Sequence, residues 1–127
     1  MGTWNAFINS QLMADGHVKH AAILGLDGEI WAKTDAFDLS SDESVQFATN
    51  YTDVSHFYAN GIVIGKTKFF FLSGTDRVMR GKKSKEGIHC IKTESCIIIA
   101  TYEEPVTPGH VANIVESCGE YLISLGS

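Results

Sequence analysis

The spacing of β-forming segments between residues 61 and 102 most constrains how this chain can fold. Apolar and β-branched runs at 62–64, 68–72, 77–82, 88–92 and 96–102 are separated only by short stretches rich in Gly, Ser, Thr and Asp. Parallel neighbours need a crossover of about a dozen residues or more, so connections this short leave hairpins, and the segment is predicted to fold as an antiparallel meander. Two more strands are predicted at 18–26 and 29–34, with Trp31 on the second. Asp27-Gly28 joins them and suits a tight hairpin turn because both residue types tolerate positive φ.

Such a sheet has apolar faces to cover, and both chain ends offer helices. Residues 3–14 are predicted to form an amphipathic helix with Trp4, Phe7, Ile8 and Leu12 on one face, Thr3 as N-cap and Asp15-Gly16 as the stop. Near the other end, Pro105 closes the last strand and Thr107-Pro108 reads as an N-cap followed by proline at the first helical position. Val111, Ile114, Val115, Cys118, Tyr121, Leu122 and Leu125 then recur at helical spacing. Gly119 interrupts this stripe at a cost of about 1 kcal/mol relative to alanine, which close approach of helix to sheet would offset. Residues 35–60 are predicted to carry short helices near 42–50 and 53–57. The expected class is α+β, two terminal helices and about seven strands; if both helices cover one face of the sheet they must lie side by side, and the other face then needs the short helices as cover. Trp4 and Phe7 then lie near Tyr121 and Leu122, a surface aromatic platform built from both ends.

The 127 residues, 44% of them hydrophobic, suit one domain spanning 1–127 with a single core. No apolar run reaches the length of a membrane span and no signal-peptide pattern opens the sequence, so a cytoplasmic protein is expected. Cys90, Cys96 and Cys118, an odd count, are expected to be reduced thiols.

Charge is unevenly placed. Residues 1–65 carry two bases and eight acids, residues 66–92 eight bases and two acids, and residues 93–127 five acids and no base. The basic block centres on Arg80, Lys82, Lys83 and Lys85, in a stretch read as two strands and their turn. A block of this kind is a solvated face or an attractor for an acidic protein or anionic lipid headgroups. Nucleic acid is not expected, since the chain is acidic overall and no aromatic side chains interleave with these bases. Catalysis is not expected either. Glu103-Glu104 are strand neighbours that point to opposite faces, no Gly-rich phosphate loop opens a helix, and His17, His20, His56, His89 and His110 show no metal spacing with the cysteines. No cofactor and no metal are therefore predicted.

Collinear motifs then point to a family. T-W-N-A-F-I-N at 3–9, A-A-I-L-G-L-D-G-E-I-W-A at 21–32, M-R-G-K-K at 79–83, I-K-T at 91–93, T-P-G-H-V-A-N-I-V-E at 107–116 and Y-L-I-S-L-G at 121–126 together resemble profilin, over essentially the whole chain. The resemblance implies a monomeric, non-enzymatic, cytoskeletal protein that binds monomeric actin, regulates its polymerisation, and carries it to proline-rich assembly factors such as formins. It places Trp4, Phe7, Trp31, Tyr121 and Leu122 on a groove for polyproline II ligands. Such ligands are already stiff and dock between flat rings with little entropy loss. It places Arg80, Lys82, Val106, Thr107, Gly109 and Asn113 on the actin surface. Phosphoinositide binding falls to Arg80, Lys82, Lys83 and Lys85, overlapping the actin surface.

Two departures stand out. Phe7 occupies a position where many profilins have tyrosine, and the sequence ends in Ser127 where many end in an aromatic residue, so a weaker or narrower polyproline site is expected. A small sensor or trafficking module of the PAS, longin or roadblock type is the alternative. It would need a ligand cavity or a dimer face in place of the groove.

Overall fold

A computed structural model describes residues 3–127. The elements run α1 (Thr3–Phe7) with a π-type continuation (Ile8–Leu12), β1 (His20–Gly25), β2 (Ile30–Lys33), α2 (Ser41–Thr49), α3 (Val54–Asn60), β3 (Ile62–Ile64), β4 (Thr67–Gly74), β5 (Val78–Lys83), β6 (Glu86–Lys92), β7 (Cys96–Glu103) and α4 (Pro108–Ser124). The strands form one seven-stranded sheet in the order β2-β1-β7-β6-β5-β4-β3. Every pairing is antiparallel; short connections required this of the sequential hairpins, and β1 beside β7 follows the same sense. β1 is inserted beside β7, which closes the meander onto the N-terminal hairpin.

Two apolar layers sandwich the sheet. One contains Ile8, Leu12, Ala21, Ile23, Ile98, Val111, Val115 and Leu122, packing the N-terminal helix and α4 onto the same face. The other contains Ala22, Leu24, Phe47, Phe57, Phe69, Phe71 and Ile88, with α2 and α3 as cover. Alternation along β1 sends Ala21 and Ile23 to one layer and Ala22 and Leu24 to the other. That explains the unbroken apolar run from 21 to 24, since both faces of this central strand are buried.

Local chemistry sets the ends of the elements. Ser40 and Glu43 form a reciprocal capping box at α2, Asp53 caps α3, and Thr107 accepts a hydrogen bond from the His110 N–H at α4 with Pro108 following it. Each such cap contributes about 1 kcal/mol. Thr3 is already the first residue of α1 rather than its cap, and the cap itself lies outside the described residues. The N-terminal helix differs from the single α-helix expected over 3–14. Its second half is a π turn closed by the Met13 N–H to Ile8 carbonyl bond of 3.0 Å. Ile8 and Leu12 are both buried in the layer against the sheet. Leu125, expected in the apolar stripe of α4, is exposed because the helix ends at Ser124.

Gly119 is where α4 meets β6. A Cβ on it would stand 2.7 Å from both Cδ1 and Cγ2 of Ile91, so only glycine lets the helix descend this far. At the far end of the hairpin, Glu86 and Glu103 sit opposite each other on β6 and β7. Lys19 Nζ lies 2.7 Å from Glu86 and 3.4 Å from Glu103 and relieves their repulsion.

Candidate functional site

The first surface forms where α1 crosses β2. Register along β1 and β2 slips between Leu24 opposite Ile30 and Ile23 opposite Ala32, leaving Trp31 as the extra residue of a bulge. Ile30 packs into the α2 and α3 layer, whereas Trp31 and Ala32 both belong to the terminal-helix layer. The indole of Trp31 rests on the bare backbone of Gly25, where a Cβ would approach Nε1 to 2.9 Å. Trp4 stacks beside it at a centroid distance of 5.4 Å and meets Phe7 edge-on at 5.8 Å. All three rings are half-buried. Phe7 continues into a depression of about 450 Å³ between the two terminal helices, shared with Gln11, Asn113, Ile114, Ser117, Cys118 and Tyr121.

The predicted platform is therefore present as a chain of rings from Trp31 through Trp4 and Phe7 to Tyr121. Tyr121 is 58% exposed, whereas Leu122, predicted on the same surface, is only 6% exposed. Successive helical positions point about 100° apart, so Leu122 turns into the core and backs the groove instead of lining it. Burial pushes the Cys118 thiol up to about 11, so this groove-lining cysteine is a protonated, packed side chain.

The second surface lies on the same side of the sheet, beyond α4. Lys82 on β5 is directly opposite Phe70 on β4, and Arg80 is opposite His89 on β6. Opposite residues share a face. Arg80 Nε donates to Ser73 Oγ at 3.1 Å, which holds the guanidinium against β4. His89 is buried and hydrogen-bonded to Glu116 of α4 at 2.8 Å, linking this strand face to the helix. Loss of hydration holds the His89 imidazole below its ordinary pKa, and the Glu116 carboxylate acts in the opposite direction. Thr107, Gly109 and Asn113 are exposed along the start of α4, with Val106 half-buried just before it. The residues expected on the actin surface thus fall on β5 and on α4, bridged by the His89–Glu116 pair.

Sequence reading missed part of this face and misjudged another. Phe70 and Leu72 are 74% and 53% exposed, apolar side chains displayed beside Lys82 and Arg80. They look like core in the run F-F-F-L, and only the alternation along β4, buried at Phe69 and Phe71, turns them outward. Lys83 does not extend the patch of Arg80 and Lys82. Being next to Lys82 in a strand, it points to the opposite side of the sheet, and Lys85 stands in the β5–β6 turn. The four bases expected for phosphoinositides are therefore split between two faces and a loop tip.

The histidines show no metal spacing with the cysteines, and the fold brings together a different set. Asp15 and His17, two residues apart, and His110, distant from both in sequence, place their ligand atoms within 4.8 Å of one another. A search by local spacing does not reach such a set.

Two ring-lined and base-lined surfaces on one side of a helix-covered antiparallel sheet describe a binding module. The sequence model of the profilin family matches residues 2–127. The profilin of Bombyx mori is 41% identical over 124 residues, 98% of each chain. Among solved structures, Acanthamoeba castellanii profilin II superposes with a TM-score of 0.93 at 33% identity, covering 98% of this chain and all of the other. Mouse profilin IIa, solved in complex with a double repeat from the FH1 domain of mDia1, shares the fold with a TM-score of 0.81 at 22% identity, covering 98% and 99%. The chain belongs to the profilin family, and the alternative of a PAS, longin or roadblock module falls away.

Proposed function

We propose that this protein binds monomeric actin and regulates its polymerisation, delivering it to proline-rich assembly factors through the groove of Trp4, Phe7, Trp31 and Tyr121, with Leu122 behind it. The observation that carries the reading is the packed row of half-open rings. A polyproline II helix presents flat pyrrolidine faces and unpaired carbonyls, and rings offering apolar faces with indole N–H and phenol O–H donors at their edges suit both. Family membership supports the same reading, as does the complex of mouse profilin IIa with an FH1 repeat. The protein acts as a monomeric, cytoplasmic binding protein rather than a catalyst.

The actin surface consists of Arg80, Lys82, Val106, Thr107, Gly109 and Asn113, extended by Phe70 and Leu72. Two bases flanked by exposed apolar side chains fit an acidic partner, the charges steering encounter and the apolar residues supplying contact area. Anionic phosphoinositide headgroups are bound through Arg80 and Lys82, with Lys85 engaging from the hairpin tip and Lys83 left out on the opposite face, and so compete with actin.

Titration of Trp4 and Trp31 fluorescence with a proline decamer tests the groove. A saturable change abolished by Tyr121→Ala is expected, and no response at millimolar peptide would sink the claim. Charge reversal at Arg80 and Lys82 tests the second surface, because unchanged actin pelleting and nucleation would remove both residues from it.

A further inference from the structure

We propose that Asp15, His17 and His110 form a binding site for a divalent transition-metal ion of the Zn²⁺ or Cu²⁺ type, joining the turn after the N-terminal helix to the start of α4. The geometry carries it. His17 Nδ1 lies 3.3 Å and His110 Nε2 3.6 Å from Asp15 Oδ2. A tetrahedral ion with bonds of about 2.0–2.1 Å needs its ligand atoms about 3.4 Å apart. Both separations match that edge, and all three ligand atoms lie within 4.8 Å of one another, so a small closure completes the set.

A second observation points the same way. His17 Nδ1 is shielded from solvent and makes no hydrogen bond, although the Asp15 carboxylate is close. The nitrogen and the oxygen are out of line for sharing a proton. They are placed for an ion seated between them and His110. The two imidazoles lie against each other, tilted by 43° at a centroid distance of 4.0 Å, so both rings are already gathered beside the carboxylate.

The ligands stand on fixed supports. His17 is set between Gly16, which reverses the chain at φ 76°, and the buried Val18 leading into β1. His110 is in the first turn of α4, its backbone N–H held by the Thr107 side chain. The positive end of the α4 dipole opposes a cation here, and the Asp15 charge offsets it. Two imidazoles and one carboxylate select borderline ions over Mg²⁺ or Ca²⁺, which prefer all-oxygen sites. Three protein ligands leave one position for water or for a side chain from another molecule. The ion clamps one end of the helix pair whose other end carries Phe7 and Tyr121.

The test is direct titration of the purified chain with Zn²⁺, and with Co²⁺ as a visible reporter of tetrahedral coordination. One ion per chain is expected, reversed by EDTA, with a rise in melting temperature and shifts of the His17 and His110 imidazole NMR signals while His56 stays unmoved. Asp15→Asn and His17→Asn alter the turn before β1 and His110→Gln the start of α4, and each should weaken binding roughly tenfold or more while remaining folded in EDTA. Absence of uptake at submillimolar Zn²⁺ overturns the proposal. So does uptake unchanged in all three variants, or uptake lost only on alkylation of Cys90, Cys96 and Cys118.

Discussion

Substituting Gly119 by alanine sets two effects of known size against each other. In an unpacked helix the change gains about 1 kcal/mol. Here the new methyl would be 2.7 Å from two carbons of Ile91, against about 3.4 Å for ordinary contact, so helix or side chain has to yield by roughly 0.7 Å. Ile91 is β-branched and buried and has little room to rotate. Overpacking of this kind costs about 1–3 kcal/mol, and lifting α4 by that distance forfeits a quarter to a half of the dispersion at Val115, Cys118 and Leu122. The net expectation is a loss of about 1 kcal/mol, read as a fall of about 4 °C in melting temperature. Polyproline binding should weaken with it, because Tyr121 rides on the displaced helix. In an Ile91→Ala background the clash is gone and the same substitution should be neutral or stabilising. A Gly119→Ala protein more stable than the parent would refute the argument, as would an equal effect in both backgrounds.

Three further outcomes follow from the same structure. Burial lowers the pKa of His89, which faces Glu116 and Arg80, and of His20. Above about pH 6.5 both folded and unfolded forms are neutral; below it the unfolded chain takes up protons first, so urea midpoints should hold steady above neutrality and fall as pH drops below 6.5. His89→Gln should flatten part of that fall. Phe7→Tyr adds a hydroxyl at the rim of the groove and should tighten proline-decamer binding by about 0.5–1.5 kcal/mol in the fluorescence titration. Thr107→Ala removes the cap of α4 and should cost about 1 kcal/mol in chemical denaturation without altering the Trp4 and Trp31 emission spectrum.

Much of the fold was legible because it rests on short-range rules. Connection length dictated antiparallel pairing, Asp27-Gly28 marked the first hairpin, and Thr107-Pro108 marked the start of α4. All depend on backbone geometry that neighbouring residues decide among themselves. Even the sheet's double cover could be read, since the unbroken apolar run on β1 requires both faces to be buried. Motif order over the whole chain carried the family and the aromatic positions.

What stayed hidden depends on contacts between distant segments or on a one-residue change in facing. The bulge that turns Trp31 toward Trp4 is a property of the β1–β2 pairing, not of either strand. Phe70 and Leu72 differ from Phe69 and Phe71 only in which side of β4 they occupy, and a helix covers one side at that point while solvent meets the other. Lys82 and Lys83 part for the same reason, and Leu122 leaves the groove by a single helical step. Asp15, His17 and His110 converge only because α4 runs antiparallel to the N-terminal helix. Local patterning was enough for the main helices and strands, the sense of the hairpins and the family. Only tertiary packing decided which side chains face outward together, because facing is settled by what each surface has to cover.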